Sequence, residues 1–439
     1  MHTLQQLRSG ELAGNRTIKI SESIKDFPVE LYGLAETLEV LDLSGNHLQS
    51  LPDDFYQLKK LRIVFLSDNH FTQFPAVLAK CIHLEMIGFK ANQIKTIPEE
   101  SFPPKLRWLI LTNNQIDHLP KSIAECNQMQ KLMLAGNKLK ELPHEMIACT
   151  KLELLRISAN RFGSLPLWLL SLPRLSWLAC AGNPFSEKKH AGAHLTEIFW
   201  NELHLKEELG QGASGVITKA AWKSNWPANT SREVAVKVFK GEVTSDGLPS
   251  DEMNACMAAG THPNLVKVLG KIALHPHHKK GLVFDLIDPS YTNLGGPPSF
   301  ETCTRDVFRE GTRFSTQTIR EIAAGIASAC LHLHHKGIMH GDLYAHNILI
   351  DERAHPLFGD FGAATFYDTK DEMVAPGLQR LEVRAFGCLL DDVLKYVAPE
   401  DRDLTLTNTL SHLRDECLQP EVMKRPDFAR IYSSITQLN

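Results

Sequence analysis

No stretch of this sequence is apolar for long enough to span a bilayer. Its start, MHTLQQLRSGELAGNRTIKI, lacks the basic residues followed by an apolar run that mark a secretory signal. The expectation is a soluble, cytoplasmic protein with no membrane partner. A dominant charge is also missing. The 47 Lys and Arg against 51 Asp and Glu leave a formal net charge of −4, which gives no electrostatic ground for holding nucleic acid. The 9 cysteines are odd in number and contain no C-x-x-C pair, which argues against a disulfide framework or a zinc site. Two histidine groups, His275, His277 and His278, and His332, His334 and His335, lack acidic or cysteine partners at ligand spacing and read as loop and helix-end residues. At 439 residues with 43% hydrophobic side chains, the chain has room for two to three domains with large cores.

Repetition is what the first half has in abundance. From Leu38 the pattern L-x-x-L-x-L-x-x-N-x-(L/F/I)-x-x-(L/F/I)-P recurs, with Asn46, Asn69, Asn92, Asn114, Asn137, Asn160 and Asn183 spaced by 23 residues and once by 22. A period of this length belongs to stacked units, none of which buries its apolar face alone. Each L-x-L reads as a short strand with inward leucines, and each Asn as a ladder bonding neighbouring backbone. Cys81, Cys126 and Cys149 share the offset that Leu58 and Leu172 fill in other copies, so they read as buried small hydrophobes. The array resembles leucine-rich repeats. Residues before Leu38, with Ile18, Ile20 and Phe27-Pro28, read as a degenerate cap, and SEKKHAGAHL after Asn183 reads as end cap and linker. Alternation puts Val40, Ile63, Phe65, Met86, Trp108, Ile110, Met133, Leu154 and Trp177 on the concave sheet face. Phe65, Trp108, Ile110 and Trp177 are the expected contacts for a protein partner or substrate, the other reading being that the second half covers them in cis.

The period changes near Phe199. Gly210-Gln211-Gly212-Ala213-Ser214-Gly215 matches G-x-G-x-x-G between two strand-like runs, but no helix follows it directly and no acidic residue ends the next strand, which disfavours a dinucleotide-binding fold. A further strand, Glu233 to Phe239, carries Lys237, and the helical stretch after it carries Glu252, with Asp251 as rival. Then come LVFDLI, a polar insert from Pro289 to Arg313, a helical run ending near His335, the stretch His340-Gly341-Asp342-Leu343-Tyr344-Ala345-His346-Asn347, and Asp360-Phe361-Gly362. Carboxylate and amide oxygens on neighbouring loops can hold Mg²⁺ against phosphates while one carboxylate accepts a proton from a hydroxyl.

Taken in this order, these elements resemble eukaryotic-type protein kinases, with their Gly-rich loop, V-A-I-K strand, H-R-D-L-x-x-x-N and D-F-G. The expected fold is α/β: a leucine-rich repeat solenoid over 1–190 with an N-terminal cap, a linker over 191–202, and a two-lobed α+β kinase domain over 203–439. The resemblance implies ATP and Mg²⁺ as cofactors. It places Leu209, Gly210, Gly212, Gly215, Ile217, Ala235 and Lys237 around the nucleotide, with Phe284 behind the adenine and Asp285 to Ile287 offering backbone groups to it. It makes Asp342, Lys237 and Glu252 the catalytic residues and Asn347 and Asp360 the metal ligands.

The chain also departs from that family. Gly341 stands where most members have Arg, and Tyr344 where serine/threonine kinases usually have Lys. The segment after Gly362 is short, has Ala375-Pro376-Gly377 in place of A-P-E, and offers Thr365, Tyr367 and Thr369 as the nearest acceptors. LEVRAFG resembles the start of the central helix of the second lobe, with Glu382 for the usual Asp. Arg425-Pro426 matches the closing R-P, and the region from Leu394 to Leu410 is short for a substrate-docking helix. The expected activity is transfer of the ATP γ-phosphate to Ser/Thr, or Tyr, hydroxyls of a protein that the repeats recruit. The alternative is a pseudokinase scaffold that binds nucleotide and partners without efficient transfer.

Overall fold

The computed structural model describes residues 1–186, 196–212, 214–224, 230–240, 243–402 and 404–437. Its packing forms two compact units, Met1–Leu175 and Ser176–Asn439.

The first unit opens with a short helix α1 (Leu4–Arg8), closed by a capping box between Thr3 and Gln6. Then come the strands β1 (Thr17–Lys19), β2 (Val40–Asp42), β3 (Ile63–Phe65), β4 (Met86–Gly88), β5 (Trp108–Ile110), β6 (Lys131–Met133) and β7 (Leu154–Arg156). They pair in parallel and in register, so that Ile18, Leu41, Val64, Ile87, Leu109, Leu132 and Leu155 form one continuous inward row. Every member of that row is fully buried. Degenerate as it is in sequence, the cap completes the stack, since β1 pairs with β2.

Buried asparagines supply the predicted ladder. Asn137 donates through Nδ2 to the carbonyls of Leu111 and Leu134 at 2.9 Å each, and its Oδ1 accepts from Ile116 N at 3.1 Å. Asn69 and Asn160 repeat this geometry. The residue before the ladder asparagine is left-handed along the array, glycine at Gly45 and Gly136, alanine at Ala91 and Ala159, Asp68 before Asn69 and Asn113 before Asn114. Cys81, Cys126 and Cys149 are buried in the core, and burial pushes the thiols of Cys81 and Cys126 up to about 12.

The concave face is less uniformly apolar than alternation suggests. Ile63, Met86 and Leu154 are themselves buried, whereas Phe65, Trp108, Ile110 and Met133 are half-buried. Asp42, Gly88, Lys131 and Arg156 share the two flanking rows, and the Lys131 ammonium sits 4.1 Å from the Trp108 ring centroid.

The second unit begins with the strand β8 (Trp177–Ala179). Residues 187–195, where the end cap and most of the linker were expected, lie outside the described residues. The rest of the expected linker is not free chain: β9 (Glu197–Phe199) pairs in parallel with β13 (Val268–Ala273). It joins β10 (Leu203–Gln211), β11 (Gly215–Ser224), β12 (Thr230–Phe239) and β14 (Gly281–Asp285) in a sheet of order β10-β11-β12-β14-β13-β9. Helix α2 (Pro249–Ala259) lies between β12 and β13 in the chain.

The other lobe is mostly helical, with α3 (Thr316–His335), α4 (Ala375–Leu394), α5 (Thr405–Cys417) and α6 (Phe428–Thr436). Short strands bracket its loops. β15 (Thr292–Asn293), β17 (Ile348–Ile350) and β18 (Pro356–Phe358) form one small sheet, and β16 (Ile338–Met339) pairs with β19 (Thr365–Phe366). Ser315 caps α3 by accepting from Thr318 N.

One expectation changes here. Helix α4 starts at Ala375, well before LEVRAFG, because Pro376 in its first turn has no N–H to leave unsatisfied. Ala375-Pro376-Gly377 is therefore helix, not part of the preceding segment. Arg425, buried, donates to the carbonyls of Gln419 at 2.8 Å and Arg380 at 3.0 Å.

Candidate active site

Strand β12 runs between β11 and β14, which places Lys237 inside the sheet opposite Ile217 and Leu282. Its ammonium meets Glu252 Oε1 of α2 at 2.5 Å, both side chains less than a tenth exposed. Glu252, not its neighbour Asp251, is the buried member of the first turn of α2. Burial works against the Lys237 charge, but the carboxylates of Asp360 and Glu252 outweigh it and hold the ammonium above its ordinary pKa. Burial likewise pushes Glu252 up to about 7, against the pull of Lys237.

A cleft of about 550 Å³ opens beside this pair. Leu209, Ile217, Ala235 and Phe284 line it together with Asp285 to Ile287, and Lys237, Glu252, Asn347 and Asp360 lie on its walls. The predicted residues Gly210, Gly212 and Gly215 fall outside that lining. They belong to the hairpin of β10 and β11, where Gly212 N donates to Gly215 O at 3.0 Å. A Cβ at Gly215 would lie 2.6 Å from the Val238 carbonyl, which is why only glycine fits there. Ala213 lies outside the described residues.

The loop from His340 to Asn347 is fixed at both ends. Buried His340 stacks on Phe358 with ring centroids 3.8 Å apart and places Nε2 3.0 Å from Gly359 O; burial lowers its pKa and keeps it neutral. Gly341 N donates to Glu382 Oε1 at 2.8 Å, and Glu382 Oε2 lies 2.7 Å from His334 Nε2. Asn347 Nδ2 donates to both the carbonyl (3.0 Å) and Oδ2 (2.8 Å) of Asp342, which couples these two predicted residues directly. Asp342 itself is not part of the cleft lining and is reached through Asn347. Asp360 has a φ of 57°, a strained backbone for a residue with a Cβ, and its Oδ1 accepts from Gly362 N at 3.2 Å.

The donor set suits a hard cation held partly by phosphates. Asn347 and Asp360 supply an amide and a carboxylate on one cleft, and the described residues contain no cluster of three or more His, Cys, Asp or Glu that could cage a metal alone.

Leucine-rich repeat models match residues 37–58, 82–139 and 104–162. The model for protein tyrosine and serine/threonine kinases matches residues 203–386. The chain carries leucine-rich repeats followed by a protein kinase domain. Among known proteins, it is 23% identical to a probable serine/threonine-protein kinase of Dictyostelium discoideum, over 280 residues that make up 55% of this chain and 28% of the relative. It is 31% identical over 163 residues to a serine/threonine-protein kinase of Arabidopsis thaliana, 36% of this chain and 31% of that one. It is 27% identical over 204 residues to a tyrosine-protein kinase receptor of Danio rerio, 45% of this chain and 22% of the receptor. The matched stretches thus span between 22% and 31% of these relatives' lengths. No described helix is long and apolar enough to cross a membrane.

Two surroundings of the kinase loop were beyond the reach of sequence. His346 Nδ1 lies 2.7 Å from Asp306 Oδ1, so the polar insert braces the loop, and nothing in a 40-residue separation signalled it. Trp177, which the sequence offered either to a separate partner or to cover in cis by the second half, is only 2% exposed and stacks on Tyr344. An indole pressed flat on a phenol ring is buried, and it is withdrawn from any partner surface. Thr365, the first candidate acceptor, is 1% exposed and accepts from Cys180 N, whereas Thr369 is exposed.

Proposed function

We propose that this chain is an active protein kinase that passes the γ-phosphoryl group of ATP to a Ser or Thr hydroxyl of a protein, with the repeats recruiting that protein or a partner. The observation that supports it best is the buried Lys237–Glu252 pair on the same cleft as Asp360, with Asn347 bonded to Asp342 alongside. Lys237 stays charged and holds the α and β phosphates, while Glu252 keeps it aimed. Leu209, Ile217, Ala235 and Phe284 give the adenine apolar walls, and the backbone of Asp285 to Ile287 offers it hydrogen bonds. Gly210, Gly212 and Gly215 let the hairpin backbone approach the phosphates. The Asn347 amide nitrogen is committed to Asp342, which leaves its oxygen, with the Asp360 carboxylate, to hold Mg²⁺. When bound, the ion neutralises phosphate charge. Asp342 accepts the proton of the attacking hydroxyl, and ADP leaves.

Asp342→Asn keeps the shape and removes the base, so phosphotransfer from radiolabelled ATP should fall by about 10²- to 10⁴-fold while nucleotide binding persists. The scaffold reading is favoured by one feature, the short connection from Gly362 to α4. Purified parent protein that binds nucleotide yet transfers no label to itself or to generic substrates establishes that reading instead.

A further inference from the structure

Resting on that kinase reading, we infer that Trp177 is a positioning residue for the catalytic loop, and that its strand holds the loop by packing, without an activation-segment phosphate. Gly341 carries the first observation. It has a φ of 75°, and a Cβ built there would lie 2.5 Å from Leu178 O and 2.8 Å from Ala363 O. No side chain fits beside Asp342 on that side while strand β8 is in place. The absent guanidinium and the seated strand are therefore one feature of this chain: the strand backbone fills the space that a side chain at 341 would need.

Trp177 makes the attachment specific. Its Nε1–H donates to Leu343 O at 2.9 Å, the carbonyl directly after Asp342. Its ring lies on Tyr344 with centroids 4.4 Å apart and planes 7° apart. Tyr344 in turn faces His346 at 5.0 Å, and His346 is held by Asp306. The loop is thus clamped between an indole on one side and the insert's carboxylate on the other, with Asn347 bonded across it to Asp342. Three residues on, Cys180 N donates to Thr365 Oγ1 at 3.2 Å, and Thr365 pairs with Met339 just before His340. The strand therefore fixes both the loop and the segment leaving Asp360. Tyr344, where a lysine was expected, supplies the flat surface that the indole needs.

The test uses the full chain and a generic protein substrate. Trp177→Phe keeps a ring but loses the N–H donor, and Trp177→Ala removes the ring. Rates are taken per nucleotide site, counted by titration with a non-hydrolysable ATP analogue, so that partial unfolding lowers the site count and not the rate. We expect kcat to fall about 5- to 10-fold in Trp177→Phe and about 100-fold in Trp177→Ala, with KM for ATP unchanged. Amide exchange across 341–347 should speed up in both variants, and phosphatase treatment of the parent should leave its rate within 2-fold. Should Trp177→Ala fail to fold, Trp177→Phe and the phosphatase arm still decide. An active parent whose kcat per site is unchanged by Trp177→Phe, or whose rate collapses after phosphatase, overturns this inference alone. A parent that binds the analogue but never transfers phosphate overturns the kinase reading, and this inference with it.

Discussion

At Lys237, burial and charge oppose each other, and the outcome depends on its partner. Lys237→Met strands a buried carboxylate that burial already raises to about 7 in the parent, against an unfolded value near 4.3. An acid with a raised folded pKa costs nothing below its unfolded value, its penalty grows as pH climbs from the unfolded value to the folded one, and it levels off above that. The substitution should therefore cost about 3 kcal/mol at pH 8 and much less at pH 5, as read from urea midpoints at the two values. The same titration predicts that kcat/KM for ATP falls in the parent below about pH 7, where a protonated Glu252 lets go of Lys237. In Glu252→Gln that acid limb should disappear from a lower, flatter profile. Ala91 offers a separate test. It is left-handed at φ 54°, where a Cβ is strained. Ala91→Gly should raise stability by roughly 0.5 kcal/mol after the added freedom of the unfolded chain is counted, measurable as a higher melting temperature.

Among the elements, the asparagine ladder is the one whose loss spreads furthest. Asn137 satisfies two carbonyls and one N–H that are otherwise shut away from water. Asn137→Ala should lower the stability of the repeat unit by about 3 kcal/mol, because each orphaned buried group costs about 1 kcal/mol or more. Chemical denaturation followed by the repeat tryptophans checks this. Strand β9 makes a contrasting point. Composition marked its neighbourhood as linker, yet three residues suffice for a strand once β13 presents an open edge.

For the molecule as a whole, the solenoid supplies a sheet face and the kinase domain a cleft, and each has its own consequence. Phe65, Trp108 and Ile110 stay half-buried on the face, now without Trp177. Trp108→Asp should abolish capture of a partner by the repeats while the purified protein keeps its melting temperature within about 2 °C. Unchanged capture by that variant would remove the concave face from consideration. Loss of divalent ion is the matching test for the cleft: chelation should weaken ATP binding measured by calorimetry at least 10-fold, and Asp360→Asn should do the same with Mg²⁺ present.

Sequence by itself determined whatever depends on short separations and fixed periods. The repeat spacing and its resemblance to leucine-rich repeats implied stacked short strands with inward leucines, which the structure pairs in parallel. Of the residues singled out by their order in the chain, Lys237, Glu252, Asn347 and Asp360 line one cleft, whereas Gly210, Gly212, Gly215 and Asp342 fall outside its lining. Tertiary structure alone decided what fills the space around them. That Trp177 lies on Tyr344, that Thr365 is hidden, and that Asp306 braces His346 depend on chain segments 40 to 185 residues apart. Contacts at such range leave no periodic trace in the sequence, since they follow from shape and burial.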